Sequence, residues 1–312
     1  MIRYVFKRLV LLIPVLIGVT FLIFALMSLA PGNPGVAILG ASAAPEAIQE
    51  FNEKIGYYDP FFVRYFDYIL GLFRFDFGTS YRTGGSVLLE ILDRFPATIA
   101  VASCSMLFAV LVGVPLGVLS AVKQYSWMDN IARVVSISLA AVPFFWLGLM
   151  FIYWFGMKLH WFPTFGADTW LHYIMPCVAL GIPYAARQLR MTRSCMLETI
   201  RQGYIRTARA KGAGERRVIW KHAFKNALIP IITLVGMQFG ALLGGAIVTE
   251  AVFSMPGLGS YMINGIKGKD IPVVLSSVVV MAVSFCLVML AVDILYAFID
   301  PHIKSKYAEK KR

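Results

Sequence analysis

The side chains that could carry out catalysis are scattered along this sequence. Its histidines and cysteines show neither a His-Glu-x-x-His nor a Cys-x-x-Cys spacing; they are His160, His172, His222, His302, Cys104, Cys177, Cys195 and Cys286. There is no Gly-x-Ser-x-Gly turn, and Gly268-Lys269 is followed by Asp270 instead of the Ser or Thr of a phosphate-binding loop. These patterns predict a chain that is not an enzyme, holds no metal and does not hydrolyse ATP by itself.

One carboxylate, Asp293, lies inside a long apolar segment near the end of the chain. An acid within a membrane span indicates a functional role by default, such as proton or substrate binding. However, Asp300-Pro301 follows soon after, so the Asp293 side chain could reach interfacial water or a loop arginine. A functional role and a structural pairing therefore both stay open for this acid.

The composition predicts a protein whose surroundings are lipid. Hydrophobic residues make up 59% of the chain, charged residues only 15%, and the mean hydropathy is +0.72. A soluble domain of this length is far less apolar, so we expect an integral membrane protein. The net charge of +12 could indicate nucleic acid, but the basic residues flank apolar segments and thereby have a topological explanation. We expect no nucleic-acid partner.

Hydropathy predicts an all-α membrane protein with six transmembrane helices, since each span needs about 20 apolar residues. The predicted spans are 9–29, 97–122, 131–155, 171–186 with its flanks, 228–252 and 273–299. Arg3, Lys7 and Arg8 precede the first span and a lysine-rich tail follows the last, which places both termini in the cytoplasm. The first span is too long for a secretory signal and is expected to be retained.

The predicted spans divide the chain into four parts. Residues 1–30 form the N-terminal tail and first span, 31–94 an extracytoplasmic helical loop, 95–300 the transmembrane core, and 301–312 a basic cytoplasmic tail. Amphipathic patterns predict helices near 45–55 and 61–72 in the outer loop. We expect these helices to form a packing cap, while direct contact with a ligand stays open.

A strongly basic segment, residues 187–228, lies between the fourth and fifth predicted spans and is expected in the cytoplasm. Ile200, Tyr204 and Ala208 recur at helical spacing, and Gly212 with Gly214 supplies a stop that tolerates left-handed backbone. A second short helix is expected to begin at Glu215, because an acid favours the first turn of a helix. The sequence therefore predicts two short helices joined by a glycine corner.

Within this segment, the run 206–212 followed by 222–230 resembles the coupling signature of ABC importer permeases of the dipeptide, oligopeptide and nickel class. The acid and the terminal proline of the general ABC signature are absent, so the resemblance is to this class's variant. It implies a type I ABC importer permease fold in which a cytoplasmic helix plugs into the ATPase. The residues it assigns to coupling are Arg206, Thr207, Ala208, Arg209, Lys211 and Gly212.

Two glycine-containing stretches complete the pattern. Gly236, Gly240 and Gly244 recur every four residues, as do Gly113 and Gly117, a spacing that permits close helix contact in lipid. For the first set, packing within the chain and packing against a partner subunit both stay open.

The stretch after the fifth span is similar to the outer gate of peptide-importer permeases, although a simple turn would explain its glycines. Its residues are Glu250, Phe253, Pro256, Gly257 and Gly259.

The resemblance implies a bacterial-type plasma (inner) membrane complex that imports a solute using ATP. The expected partners are a second homologous permease, two ABC ATPases that hold ATP and magnesium, an extracytoplasmic substrate-binding protein and the lipid bilayer. The chain itself is expected to bind no cofactor. The alternatives are an ion-coupled secondary transporter, a membrane enzyme or a scaffold without a pore. A peptide, a nickel chelate, haem or an oligosaccharide is each compatible with the sequence as cargo.

Overall fold

The computed structural model describes residues 2–299, and it describes side chains for 10–292 and 294. This part of the chain is helical apart from one antiparallel bridge between Thr79 and Ser86. In chain order the helices are α1 (Ile2–Leu29), α2 (Pro34–Leu39), α3 (Pro45–Lys54), α4 (Phe61–Phe73), α5 (Val87–Val122), α6 (Trp127–Ala141), α7 (Phe144–Phe151), α8 (Leu171–Ile200), α9 (Gly203–Ala210), α10 (Glu215–Arg217), α11 (Lys225–Val252), α12 (Leu258–Lys267) and α13 (Ile271–Ile299). Two π-helical segments, Ile152–Lys158 and Val218–Phe224, directly follow α7 and α10.

Among the described residues, four helical stretches are long and apolar enough to cross a membrane: Val10–Leu29, Val87–Val122, Glu215–Val252 and Ile271–Val292. They overlap the first, second, fifth and sixth predicted spans. Many of their apolar side chains are exposed in the isolated chain, such as Leu22 on α1 and Leu111 on α5. A helix surrounded by lipid needs no protein cover on such a face.

The third predicted span, 131–155, is not one straight helix. The chain bends by 94° between Trp127–Ala141 and Phe144–Lys158, so this segment is a fifth span only if the bent pair counts as one. Pro143 caps α7, and Val142 before it has an extended backbone with φ −74° and ψ 128°. Proline disfavours the helical conformation of the residue before it, which explains the break.

The fourth predicted span is part of a longer helix. α8 continues through Pro176 and Pro183 and ends at Ile200, with 30 residues in all. Arg187, Arg190 and Arg193 therefore belong to α8, whereas the sequence placed them in the basic loop. α8 is long enough to cross a membrane, but it is not among the helices of the described residues that are also sufficiently apolar.

The chain divides into two compact units, and the first contains α1 to α4, α5 up to Thr98, α12, and α13 up to Cys286. One of its hydrophobic cores joins α1, α4 and α13 through Phe24, Tyr65 and Leu275. The predicted amphipathic helices of the outer loop are present as α3 and α4. α12 was not predicted, because the sequence indicated only a turn before the last span.

The second unit contains α5 from Ile99, α6 to α11, and the described part of α13 from Leu287. α5 and α8 approach closely because α5 carries glycines. A Cβ at Gly113 would lie 2.5 Å from the Ala185 carbonyl oxygen, and one at Gly117 would lie 2.6 Å from the Thr192 Cβ. The contact predicted from this glycine spacing is therefore a contact within the chain.

Replacing Gly117 by leucine is expected to destabilise the protein by at least about 1–3 kcal/mol, because the new side chain would overlap α8. The measurement is the thermal unfolding temperature of the purified chain in detergent, together with its amount in the membrane. Gly18→Leu is the matched control, since a Cβ at this glycine of α1 meets nothing within 4 Å. Equal unfolding temperatures for the two variants would contradict the described contact.

The glycines of α11 do not share one environment. Gly236 packs against α13, where its Cβ would lie 2.6 Å from Val292 Cγ2. Gly244 is exposed, with nothing within 4 Å of its Cβ position, and Gly240 is half-buried. Gly245, which the sequence analysis did not select, faces α8, where its Cβ would lie 3.0 Å from Leu180 Cδ1. Within the evenly spaced set, a close internal contact is therefore described at Gly236 and none at Gly244.

Candidate coupling site and outer turn

The predicted coupling residues lie on α9 and the turn after it. α9 ends in a Schellman arrangement, in which the Ala213 N–H donates to the Ala208 carbonyl at 3.2 Å and the Gly212 N–H to the Arg209 carbonyl at 2.9 Å. Gly212 has φ +80°, the left-handed conformation that such a cap needs. Gly214 has φ −59° and caps α10, so the expectation of left-handed backbone is met at Gly212 and not at Gly214.

The helix that begins at Glu215 was predicted to be short, but it continues into a long one. α10 passes through the π-helical segment into α11, so one helical stretch of 38 residues runs from Glu215 to Val252. Ile200 also belongs to α8 and not to α9. We call α9, the glycine turn and α10, residues 203–217, the basic elbow. It therefore joins the end of α8 directly to the base of a spanning helix.

The inner side of the basic elbow is fixed in a hydrophobic core. Ile205 of α9 is fully buried and packs in one cluster with Met196 of α8 and Val118 of α5. Val218 and Ala223 of the π-helical segment complete this cluster. Burying an aliphatic side chain contributes about 1.5–3 kcal/mol, so several such contacts hold the elbow to three helices.

The outer side of the basic elbow is open. Arg206, Thr207, Lys211 and Gly212 are exposed, and Ala208 is half-buried. Five of the predicted coupling residues, on α9 and the turn that follows it, are therefore at least partly accessible to another protein.

Arg209, the sixth, is held by a bidentate ion pair across the glycine turn. Its Nη2 lies 2.6 Å from Glu215 Oε1, and its Nε donates to Oε2 at 3.0 Å. The hydrogen bonds to Glu215 raise the pKa of Arg209 above its ordinary value. The pair joins α9 to α10, so part of the Arg209 charge is already neutralised inside the elbow.

Replacing Glu215 by glutamine is expected to change the stability of the chain by no more than about 1 kcal/mol, because both partners are exposed. The thermal unfolding temperature in detergent measures this change. The Arg209→Lys variant, which loses bidentate geometry while keeping the charge, is the matched control. A large loss of stability in Glu215→Gln would contradict this expectation and show that the ion pair contributes strongly to the stability of the elbow.

A buried ion pair lies beside the elbow on the same unit. The Asp129 carboxylate of α6 accepts from Arg193 Nε at 2.7 Å and Nη2 at 2.8 Å. It also accepts from Ser120 Oγ at 2.6 Å and from the Tyr125 N–H at 2.9 Å. The carboxylate therefore ties together α5, α6, α8 and the turn between α5 and α6.

Sequence reasoning missed this pair. Its available signal was the spacing Ser126-x-x-Asp129, which is typical of a helix start, and Ser126 does accept a hydrogen bond from the Asp129 N–H at 3.3 Å. That signal predicts the start of α6. It does not identify Arg193, which is 64 residues away.

The predicted outer residues do not form one cluster within either unit. Glu250 and Phe253 belong to the second unit and are buried, and Phe253 lies against Gly148 of α7. Pro256, Gly257 and Gly259 belong to the first unit, where Gly257 caps α12 with an extended backbone. Within this stretch the left-handed residue is Ser254, with φ +49°, and neither Gly257 nor Gly259 has a positive φ.

Another buried carboxylate, Asp270, lies directly before α13 and contacts the outer loop. It accepts from Ser80 Oγ at 2.6 Å and from the Arg82 N–H at 3.3 Å, which connects the outer loop to the start of α13. Gly78, two residues before Ser80, has φ +76°. This geometry supports the packing role expected for the loop.

The remaining predicted residue, Asp293, lies on α13, but its side chain is outside the described residues. Among the residues that are described, no group of three or more His, Cys, Asp or Glu could hold a metal ion.

Comparison with known proteins identifies the family of this chain. Residues 113–305 match the binding-protein-dependent transport system inner membrane component, and residues 1–102 match the N-terminal part of such components. The dipeptide transport system permease protein DppB of Alkalihalophilus pseudofirmus is 44% identical over 97% of this chain and 100% of its own length. The glutathione transport system permease protein GsiC of Salmonella choleraesuis is 40% identical over 98% of this chain and 100% of its own length.

Solved structures support the fold. An inward-facing structure of the MetNI methionine ABC transporter matches with a TM-score of 0.59 and 22% identity, covering 68% of this chain and 97% of the matched chain. An amino acid ABC transporter with histidines matches with a TM-score of 0.55 and 14% identity, covering 67% of this chain and 94% of the other. The chain therefore belongs to the family of binding-protein-dependent transport system inner membrane components, and it is a permease subunit of an ABC importer.

Proposed function

We propose that this permease forms half of the transmembrane pathway for short peptides in an ATP-driven importer. The relatives at 44% and 40% identity are named for a dipeptide and for glutathione, and both of these solutes are peptides. The alignments cover almost the whole of this chain and of both relatives. A peptide cargo is therefore the simplest one that agrees with both relatives.

The proposed complex contains a second homologous permease, two ABC ATPases with ATP and magnesium, and an extracytoplasmic substrate-binding protein. In the inner membrane of a bacterium, the permease would cross the bilayer six times, with α8 and the bent pair as the additional spans and both termini in the cytoplasm. The basic residues of the elbow and of the two ends of the chain support this orientation. The exposed face of α11, with Met237, Gly244 and Val248, is available to the second permease.

Coupling to ATP hydrolysis is proposed to pass through the basic elbow. Thr207 and Ala208 would pack against the ATPase, Arg206 and Lys211 would supply charged contacts, and Gly212 would shape the turn. The observation that carries this proposal is the full burial of Ile205, because an elbow fixed to α5, α8 and α11 moves with them. Closure of the ATPases can then move the spans as a rigid body.

The proposed function is tested by peptide uptake into proteoliposomes that contain the permease pair, the ATPases and the binding protein. A labelled dipeptide is expected to accumulate with ATP and magnesium inside, and not with a non-hydrolysable ATP analogue. Accumulation driven by an ion gradient without ATP would indicate a secondary transporter. Turnover by the purified chain alone would indicate an enzyme.

The coupling role is tested separately by co-purification of the ATPases. Gly212→Trp and Ala208→Glu are expected to lower ATPase recovery at least tenfold, which corresponds to about 1.4 kcal/mol of binding free energy. Gly40→Trp is the matched control for the glycine, because Gly40 also has a positive φ, +92°, and open space around its Cβ position. Undiminished ATPase recovery and transport in both elbow variants would contradict this assignment.

A further inference from the structure

An apolar cleft runs along the second unit between α5, α6 and α8. Its volume is about 330 Å³, within the range of about 300–1,000 Å³ that is typical of ligand pockets. Ala185, Ala186 and Leu189 of α8 line it and are buried. Leu116 of α5 and Ile131 of α6 also line it and are 43% and 53% exposed, so the cleft is open to the surroundings of the chain.

Hydrogen-bonding groups are scarce along this cleft. Two hydroxyl groups line it, and both are used within the chain: Ser120 Oγ donates to Asp129 Oδ1 at 2.6 Å, and Ser136 Oγ donates to the Arg133 carbonyl at 2.9 Å. Apart from Trp127 at one end, the other lining residues carry no N–H or O–H in their side chains. Because a buried polar group without a partner is costly, this lining favours a hydrocarbon chain over a peptide backbone.

The length of the cleft matches half of a bilayer. α5 and α8 stay close from one end to the other, since a Cβ at Gly117 would lie 2.7 Å from the Leu189 carbonyl oxygen and one at Gly181 would lie 2.8 Å from Phe108 Cδ1. The lining of α5 extends from Ser120 to Phe108, which is about 18 Å at about 1.5 Å per residue. One leaflet contributes about 15 Å of hydrocarbon, half of a core of about 30 Å. A single acyl chain therefore fits the cleft lengthwise.

One end of the cleft carries groups that are typical of a membrane interface. Trp127 lines this end and is 71% exposed. Lys123 is exposed beside it, and its Nζ lies 3.7 Å from Sδ of Met128, another lining residue. Indole rings and lysines at one level mark the headgroup region of a bilayer. The nearby Asp129 carboxylate is already paired with Arg193, so the charge of Lys123 stays in excess at this end.

We propose that this cleft binds one acyl chain of an anionic phospholipid, with the phosphate group of the lipid held at Lys123 beside Trp127. The apolar lining accounts for the chain, and the excess positive charge accounts for a preference for an anionic headgroup. The orientation given above places this end at the cytoplasmic face, where basic residues meet anionic lipids. The site goes beyond the proposed function, because lipid binding needs neither a peptide nor ATP.

The cleft and the basic elbow lie on different sides of α5. Val114, Val118 and Ala121 of α5 pack in the core that holds Ile205 of the elbow, whereas Leu116 and other residues of α5 line the cleft. A lipid chain in the cleft would therefore support α5 from the side that the elbow core leaves uncovered. We expect a bound lipid to raise the thermal unfolding temperature of the chain.

The first test mixes the complete complex, purified in detergent, with phosphatidylglycerol or with phosphatidylcholine that carries the same acyl chains. Native mass spectrometry measures the lipid that stays bound, and phosphatidylglycerol is expected to bind more tightly and to raise the unfolding temperature more. Lys123→Gln is expected to weaken phosphatidylglycerol binding about fivefold, the effect of one lysine near an anionic lipid. Arg133→Gln is the matched control, because Arg133 is also an exposed cation but does not line the cleft.

The second test fills the cleft. Ala132→Trp places a large ring at a half-buried lining position of α6 and is expected to weaken binding of both lipids at least tenfold. Ile137→Trp is the matched control, since Ile137 lies on the same helix, is 58% exposed and does not line the cleft. A photoreactive amino acid at Ile131 then identifies the occupant, and it is expected to crosslink to phosphatidylglycerol in the complete complex.

Several outcomes would overturn this inference. Equal binding of the two lipids would remove the anionic headgroup, and unchanged phosphatidylglycerol binding in both Lys123→Gln and Ala132→Trp would remove the site. Crosslinking of position 131 to the second permease instead of lipid would show that the cleft is a subunit interface. Failure of the wild-type complex to import a peptide would contradict the proposed function, and the lipid measurements would still decide this inference.

Discussion

Replacing Asp129 by alanine is expected to destabilise the permease by about 3–5 kcal/mol, because Arg193 would then be left as an unpaired and largely buried charge. The same change leaves the Ser120 hydroxyl and the Tyr125 N–H without their acceptor. We expect a strong fall in the amount of protein in the membrane and in its thermal unfolding temperature in detergent. Arg193→Ala should behave in the same way.

Two further variants test whether the stability comes from the buried Asp129–Arg193 pair itself or from any charge near Asp129. Arg133 lies 3.8 Å from Asp129 and is 44% exposed, so Arg133→Ala is expected to have almost no effect on the unfolding temperature. The double variant Asp129→Leu with Arg193→Met removes both charges and is expected to recover part of the lost stability. If the double variant were as unstable as the sum of its single changes, the pair would not be coupled as described.

Replacing Ile205 by alanine is expected to loosen the basic elbow, because the change removes the side chain that fixes α9 in its core. A cavity of this kind costs about 2–5 kcal/mol, and it falls where α9 meets Met196 and Val218. We expect faster trypsin cleavage at the arginines and lysines of the elbow, and peptide uptake that falls further than ATPase recovery.

Ile205→Leu is the matched control, since it keeps the volume of the side chain and should cost less than about 1.5 kcal/mol. The cleavage rate of the elbow by trypsin is the direct readout, because it reports local opening without requiring the partner subunits. Unchanged cleavage in the alanine variant would mean that contacts other than those of Ile205 hold α9 in place.

Local patterns predicted the local features correctly. The amphipathic spacing of the outer loop predicted α3 and α4, and Gly212 adopts the left-handed angle expected at the end of α9. Gly113 and Gly117 pack closely against α8, as glycines at this spacing in an apolar helix should. In each case the sequence signal lies within a few residues of the position, although the partners of Gly113 and Gly117 lie on α8.

The sequence-based predictions failed where the outcome depends on contacts between residues that are distant in the sequence. At Pro143 the helix is interrupted and the chain bends by 94°, whereas Pro176 and Pro183 lie within the continuous helix α8. The presence of a proline alone does not distinguish these two outcomes. The partners of Asp129 and Asp270 lie 64 and 190 residues away, so no local spacing identifies them. α12 was missed because Pro256 and Gly257, which directly precede it, were interpreted as a simple reversal of the chain.

The unbroken helix from Glu215 to Val252 has a mechanical consequence. At about 1.5 Å per residue, its 38 residues extend about 57 Å, nearly twice the roughly 30 Å of a hydrocarbon layer. The π-helical segment Val218–Phe224 and Pro230 lie inside this stretch without ending it. Under the proposed coupling, a displacement of its Glu215 end by the ATPases would reach its Val252 end through one continuous helical segment.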